Sequence, residues 1–392
     1  MAEVVFVLGA GASAHAGVPV MDEFCERADD LYDDNKLTAS DKECFDLVRS
    51  AKKSLQAILA RMIMNLDNIE TLFSLIEMGK LINRFPDLDT KGISDLHEAI
   101  HRFIIRTIEL TTNFTYREDA GYFAPEAYGL LAEYVGNIHE MRGPSKTSIL
   151  TFNYDIALDH ALENEFGNQG IDYCLDAKKR LTADNGYKLL KLHGSLNWAK
   201  VEEDGNIKVA ARSIRDFIVS SGLPTHSADR FRKPNFMTTS DPPIKKPIVR
   251  DDVHFEIGSN INQQKWFRSQ GLIQPLPLIV PPTWSKTEYH SFLSNVWAQA
   301  ATEISEAKYI YVIGYSLPET DLFFRHLLGL GMLDIMRLKS FRVYDPSNDV
   351  SEKFKRLLGT SIQSKFISNL ERFNRRFVED YIKSDLERNK LL

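Results

Sequence analysis

Val4-Val5-Phe6-Val7-Leu8-Gly9-Ala10-Gly11-Ala12-Ser13-Ala14-His15-Ala16-Gly17-Val18-Pro19 decides how the remaining residues are read. Five apolar, mostly β-branched residues predict a buried strand, and the small residues after them allow a tight turn into a helix. Such a turn leaves backbone N–H groups at a helix N-terminus, where a diphosphate can be cradled. Gly9-Ala10-Gly11-Ala12-Ser13-Ala14 fits the dinucleotide fingerprint only with alanine in place of its last glycine, and the plainer reading is a glycine-lined turn that binds nothing. A dehydrogenase-type unit also needs a second strand about 20 residues on, ending in an acid for the ribose. The acids Asp29, Asp30, Asp33 and Asp34 fall in a helical pattern with no strand before them, which argues against a dehydrogenase. The partners of this loop must come from farther along.

A chain of 392 residues, 43% hydrophobic, can bury a full core and suggests two or three structural units. It has no run of 18 apolar residues, and the first apolar strand breaks at Gly9, so neither a membrane span nor a leader is expected and a cytoplasmic protein is. Cys25, Cys44 and Cys174 are widely separated and offer neither a disulfide framework nor a zinc ribbon. The net charge of −6 argues against a nucleic-acid surface, and the basic clusters at Arg230, Arg232, Lys233 and at Lys245, Lys246, Arg250 read as solvated loops. His97 and His101 stand at i, i+4 on one predicted helix and are able to share a metal, but read as part of a solvated face, so no metal is expected.

After the loop, Val20 to Leu31 predicts a first helix, and Ser40 opens a second that runs through Leu55, Ile58, Leu59, Met62 and Ile63. Asn68 to Ile76, Ile93 to Leu110 and Tyr128 to Ile138 repeat apolar residues at three- and four-residue steps. Nothing there reads as a strand, so 22–145 is expected to be a helical module inserted into an α/β domain made of 1–21 plus 146–350. Strands resume at Lys146 to Phe152, at Leu189 to Leu192, at Pro277 to Pro282 and at Lys308 to Ile313, with Ser340 to Tyr344 as the last. A helix is expected from about Ser285 to Ala307. Residues 200–275 form an irregular insertion, with a hairpin around Glu203-Asp204-Gly205-Asn206, that is expected to cover the site. Residues 351–392 form a tail whose charged helix, Glu371 to Leu391, packs on a partner or frays. The fold class expected is a Rossmann-like, mostly parallel sheet flanked by helices.

Polar or small residues follow four strand ends: Gly9-Ala10-Gly11, Asn153-Tyr154-Asp155, His193-Gly194 and Gly314-Tyr315-Ser316, with Asp345 as a fifth. Ligands of open α/β sheets sit beyond such carboxyl ends. Each has a plain alternative: Asn153 and Asp155 as helix caps, His193 as a satisfied core histidine, Gly314, Ser316 and Asp345 as turn residues. Their joint order, G-A-G-A-S then G-V-P, T-F-N-Y-D, L-H-G-S-L-N-W, G-Y-S and D-P-S, resembles the sirtuin family. More closely, it resembles the sirtuin-like domains of bacterial antiviral defence proteins. The resemblance covers about 1–20, 146–200 and 277–347, and departs from sirtuin deacylases at two points. Val20-Met21-Asp22-Glu23-Phe24 lacks their arginine, and three scattered cysteines cannot build their four-cysteine zinc module.

The resemblance therefore implies an NAD hydrolase, with a non-catalytic sensor of NAD or ADP-ribose, or a deacylase, as alternatives. It implies that the Ala10-Gly11-Ala12 backbone and Ser13 hold the diphosphate, that Gly314 and Ser316 line the adenosine side with Asp345 on its ribose, and that Gly9, Pro19 and Tyr315 belong to the same cofactor site. Asn153 would orient water or a ribose hydroxyl, Asp155 would recognise the nicotinamide carboxamide, and His193 would take a proton. A homo-oligomer is expected, and the resemblance implies a HerA-type ATPase translocase as partner.

Overall fold

β1 (Val4–Leu8) is buried at all five positions, as befits a strand with neighbours on both edges and helices on both faces. The computed structural model describes residues 2–58, 64–143, 146–167, 170–176, 187–203, 206–224, 248–261, 276–280, 287–319, 321–331 and 337–392. Gly9 turns β1 directly into a one-turn helix, α1 (Ala10–Ser13), and Gly17 ends the following 3-10 turn at φ +91°. A Cβ at Gly17 would stand 2.3 Å from the Thr111 carbonyl oxygen, so the G-V-P turn requires glycine to reach the helical module.

That module holds α2 (Phe24–Asp33), α3 (Ala39–Ile58), α4 (Ile69–Leu81) and α5 (Thr90–Thr111), then α6 (Glu126–Arg142). The helix expected from Val20 begins only at Phe24, and the expected extension of α3 over 59–63 lies outside the described residues. Asn68 accepts from the N–H groups of Glu70 and Thr71, which sets the start of α4. Between α5 and α6 the structure corrects the all-helical reading: β2 (Phe114–Arg117) and β3 (Gly121–Phe123) form an antiparallel hairpin. These two segments are too short to show a period in the sequence, and β2 finds its second neighbour in Val249–Val253, over 130 residues away.

The chain continues through β4 (Thr147–Thr151), α7 (Ala157–Phe166), β5 (Ile171–Asp172), β6 (Tyr187–Lys191) and β7 (Gly194–Ser195). The expected hairpin is present as β8 (Trp198–Glu203) and β9 (Asn206–Ala211), followed by α8 (Ile214–Ser220) and β10 (Val249–Val253). The rest of the insertion, 225–247 and 262–275, lies outside the described residues. Of the strand expected at 277–282, the described residues show β11 (Leu278–Ile279), which pairs antiparallel with β7 instead of joining the main sheet, and 281–282 lie outside the described residues. Helix Thr287–Glu306, β12 (Tyr309–Ile313), helix Leu322–Gly331 and β13 (Ser340–Tyr344) follow. β13 is not the last strand, because β14 (Phe366–Asn369) pairs with it in parallel register.

The main sheet has the order β14-β13-β12-β1-β4-β6-β5, with every pairing parallel. From β1 the chain moves to β4, then to the edge strand β5 and back to β6 between them, before it returns to the opposite edge of β1 as β12. The order reverses between β1 and β12, and the crevice beyond the carboxyl ends of those strands is the natural ligand site of such a sheet. The tail neither frays nor begins its helix at Glu371. It turns helical at Arg375 and buries Phe377, Val378, Ile382 and Leu386, while Asp385 accepts from Tyr311 and pairs with Arg342. Buried residues of the sheet, the helical module and the tail belong to one continuous core. Among the described residues no helix is long and apolar enough to cross a membrane.

Candidate active site

Gly9, Gly11 and Gly314 meet where the sheet order reverses. A Cβ on Gly9 would lie 2.5 Å from the Gly314 oxygen, and one on Gly314, at φ +60°, would lie 2.4 Å from the Ala12 nitrogen. The glycines are thus required for the close approach of two loops. That approach changes the reading of the loop amides. Gly11 N–H donates to the Gly314 carbonyl and Ala12 N–H to the Gly9 carbonyl, so of the Ala10-Gly11-Ala12 set only the Ala10 N–H has no acceptor among the described residues.

Beyond these loops opens a cavity of about 760 Å³, within the roughly 300–1,000 Å³ usual for small-molecule and cofactor sites. Its lining brings together Ala10, Gly11, Ser13, Pro19, Asn153, Asp155, His193, Gly314, Tyr315, Ser316 and Asp345 from the sequence reading. Gly9 and Ala12 lie behind the surface as structural parts of the loop.

Asn153 is oriented by its amide. Its Nδ2 lies 2.9 Å from the Gly9 carbonyl and 2.8 Å from Ser13 Oγ. The carbonyl can only accept, which assigns the nitrogen to that side. Both amide hydrogens are engaged, and Oδ1 remains an acceptor without a protein partner among the described residues. Ser13 Oγ also donates to Asp155 Oδ2 at 2.7 Å and contacts Tyr128 OH at 2.7 Å. The Ser13 side chain is fully buried in this network, where its hydroxyl fixes the loop. Asp155 has its other oxygen on the Ala157 N–H at the start of α7. Burial pushes its carboxyl above the usual range, against the Lys191 charge and the Ser13 hydrogen bond. Accepting one hydrogen bond at each oxygen, Asp155 ties the loop to the strand end while its residue lines the cavity. The buried Lys191 Nζ donates to the Asp155 carbonyl and to Asp159, which anchors the same turn.

His193 follows β6 and is buried, with its ring edge against Phe152. Its neighbour Gly194, at φ +88°, has no room for a Cβ, which would sit 2.0 Å from the Leu278 oxygen. His193 Nε2 stands 3.7 Å from Asp321 Oδ2, and the same carboxylate oxygen accepts from Tyr315 OH at 2.7 Å. Asp345 uses Oδ1 to accept from the Ser347 N–H.

Several residues in the lining or directly behind it escape a sequence reading. Tyr128 sits on an amphipathic helix and reads as core, and Asp321 precedes helix Leu322–Gly331 and reads as its cap. Asn68, Glu70, Phe73, Ile104 and Ile108 make the helical module one wall, and the tail adds Glu371, Arg372, Phe373 and Asn374. Lys353 and Arg372 are the only lysine or arginine among the described lining residues, whereas Asp22, Glu23, Glu70, Asp155, Asp321, Asp345, Asp349 and Glu371 make the lining strongly acidic. His15 lies between Tyr128 and Phe373 with Nδ1 on the Ala12 carbonyl, and burial lowers its pKa to about 4, so it is neutral.

No protein-family model matches the chain, and no curated protein matches it. Solved structures to which it is similar include a Sir2 homologue–NAD complex, at 11% identity and TM-score 0.39 over 99% of this chain and 90% of that one. A Sir2 homologue mutant–ADP-ribose complex aligns at 12% identity and TM-score 0.36 over 99% and 94% of the two chains. Sir2 with a p53 peptide and NAD+ aligns at 11% identity and TM-score 0.36, with the same coverage.

Proposed function

We propose that this protein hydrolyses NAD+ to nicotinamide and ADP-ribose and acts in bacterial antiphage defence by depleting NAD. The observation that carries the reading is the convergence of the Gly9–Gly11 loop, Asn153 and His193 on one cavity at the reversal point of the sheet. The Ala10 N–H, Lys353 and Arg372 are the groups suited to the diphosphate. Asp345 keeps one oxygen for a ribose hydroxyl on the adenosine side, next to Gly314 and Ser316.

The bond from ribose to nicotinamide breaks with its electron pair going to the pyridinium nitrogen, so the leaving group departs neutral and positive charge develops on the ribose, as in other glycosyl transfers. The acidic lining favours that charge. Water then bonds to the anomeric carbon with its proton passing to the His193 imidazole, and Asp321 stabilises the imidazolium formed. Asn153 Oδ1 accepts from the attacking water or a ribose hydroxyl and so fixes its direction. Asp155 and Ser13 act through Asn153 by holding the loop in place. No step calls on a metal.

Incubation with NAD+ followed by chromatography for free nicotinamide tests the reading. His193→Ala and Asn153→Ala are each expected to lower the release rate about 100- to 10,000-fold with unchanged circular dichroism. Unchanged turnover in both overturns the assignment. Binding of ADP-ribose without turnover by the unmodified chain supports a sensor instead, and turnover only with an acetyl-lysine peptide supports a deacylase.

A further inference from the structure

Three side chains outside the cavity meet between α4 and α5. His97 and His101 do not form a solvated helix face: their side chains are 16% and 7% exposed and turn toward Glu77 of α4, itself 17% exposed. His97 Nε2 lies 2.6 Å and His101 Nε2 3.7 Å from Glu77 Oε1, and one ligand atom from each residue falls within 4.8 Å of the others. His101 Nδ1 is buried with no hydrogen-bond partner, which leaves an almost fully buried imidazole poorly satisfied beside a carboxylate.

We propose that Glu77, His97 and His101 bind one divalent transition-metal ion of the zinc class, which clamps α4 to α5. Two histidines at i, i+4 on one helix face with a carboxylate from a second element form a recognised zinc donor set. Zinc bonds of about 2.0–2.2 Å place tetrahedral ligands roughly 3.3 Å apart, so the observed spacing closes by side-chain rotations of about 1 Å. Lys80 Nζ, 2.9 Å from His97 Nδ1, belongs to an exposed side chain that can turn to water when the ion binds.

The local sequence His97-Glu98-Ala99-Ile100-His101 has the spacing of a metalloprotease helix, in which the glutamate serves the metal-bound water. Here Glu98 instead lines a second cavity with Ser40, Glu43 and Arg102 on the side of α3. The ion therefore lacks that base, and in this proposal it serves to hold the two helices together, with water completing its coordination. It links two helices that each wall the main cavity, through Phe73 on α4 and Ile104 on α5.

The test uses the full chain, stripped with a chelator, freed of it and titrated with Zn2+ or with Co2+ as an absorbing probe. One equivalent is expected to bind and to raise the melting temperature. Glu77→Gln and His101→Asn are expected to weaken binding on the order of 100-fold or more and to abolish the thermal shift, while Glu98→Gln leaves both unchanged. Circular dichroism of Glu77→Gln, close in shape to the original side chain, separates lost ligation from lost folding. Binding no tighter in the unmodified chain than in a His97→Asn/His101→Asn double variant overturns the site and leaves a hydrogen-bonded cluster only. None of these readouts depends on turnover of NAD.

Discussion

His193 and Asp321 come from different strand ends, and their 3.7 Å separation suits a carboxylate that stabilises a developing imidazolium. Asp321→Asn keeps the bond from Tyr315 but removes the charge. It is expected to lower kcat roughly 10- to 100-fold, with little change in KM and a shifted pH profile; a kcat equal to that of the unmodified chain excludes this positioning role. His160 supports a prediction about stability. Burial lowers its pKa from 6.5 to about 4, and its Nδ1 has no partner. The folded chain therefore binds fewer protons at this site than the unfolded chain, so the contribution is full above about pH 6.5 and is lost as pH falls toward 4. A difference of about 2.5 units corresponds to on the order of 3 kcal/mol. Urea unfolding at pH 7 and pH 4 measures it: His160→Gln is expected to lose that much less stability than the unmodified chain, and equal losses would refute the assignment.

β14 and the segment after it show how an edge element can complete a site. Phe373 packs edge-on to His15 and close to Tyr128, and this contact brings Arg372 to the cavity. A charge-assisted hydrogen bond to a diphosphate is worth about 1.5–3 kcal/mol. Arg372→Ala is accordingly expected to raise KM for NAD about 10-fold or more while kcat and melting temperature stay the same. Steady-state kinetics at low and high salt provides the measurement, and an unchanged KM at low salt removes Arg372 from the diphosphate site. The short β7–β11 pair has the complementary role of fixing the backbone that carries His193, whose carbonyl accepts from the Val280 N–H.

An unregulated NAD hydrolase would poison its own cell, so the proposed activity calls for control through assembly. The helical module belongs to the common core and also walls the cavity, which couples its packing to the shape of the site. Turnover per chain is expected to rise with protein concentration, or on addition of a HerA-type translocase, in step with a larger mass by light scattering. Full activity in a species that stays monomeric throughout would exclude assembly control.

Local pattern was enough to read β1, the glycine turn after it, and the strand ends that carry Asn153, His193, Gly314 and Asp345. Strand and helix periods are properties of neighbouring residues, and a parallel sheet places its functional residues at strand ends. The identity of the groups that remain available to a ligand was not legible. Gly11 and Ala12 N–H groups, Ser13 Oγ and the Asp155 carboxylate all look free in one dimension, and packing engages each with a protein partner. The same holds for Tyr128, Asp321, Arg372 and the Glu77–His97–His101 cluster, whose surroundings are assembled from separate elements. Hydrogen-bond saturation and burial depend on which distant surfaces meet, and that is decided by the closure of the core, where the loops from β1 and β12 press together at Gly9 and Gly314.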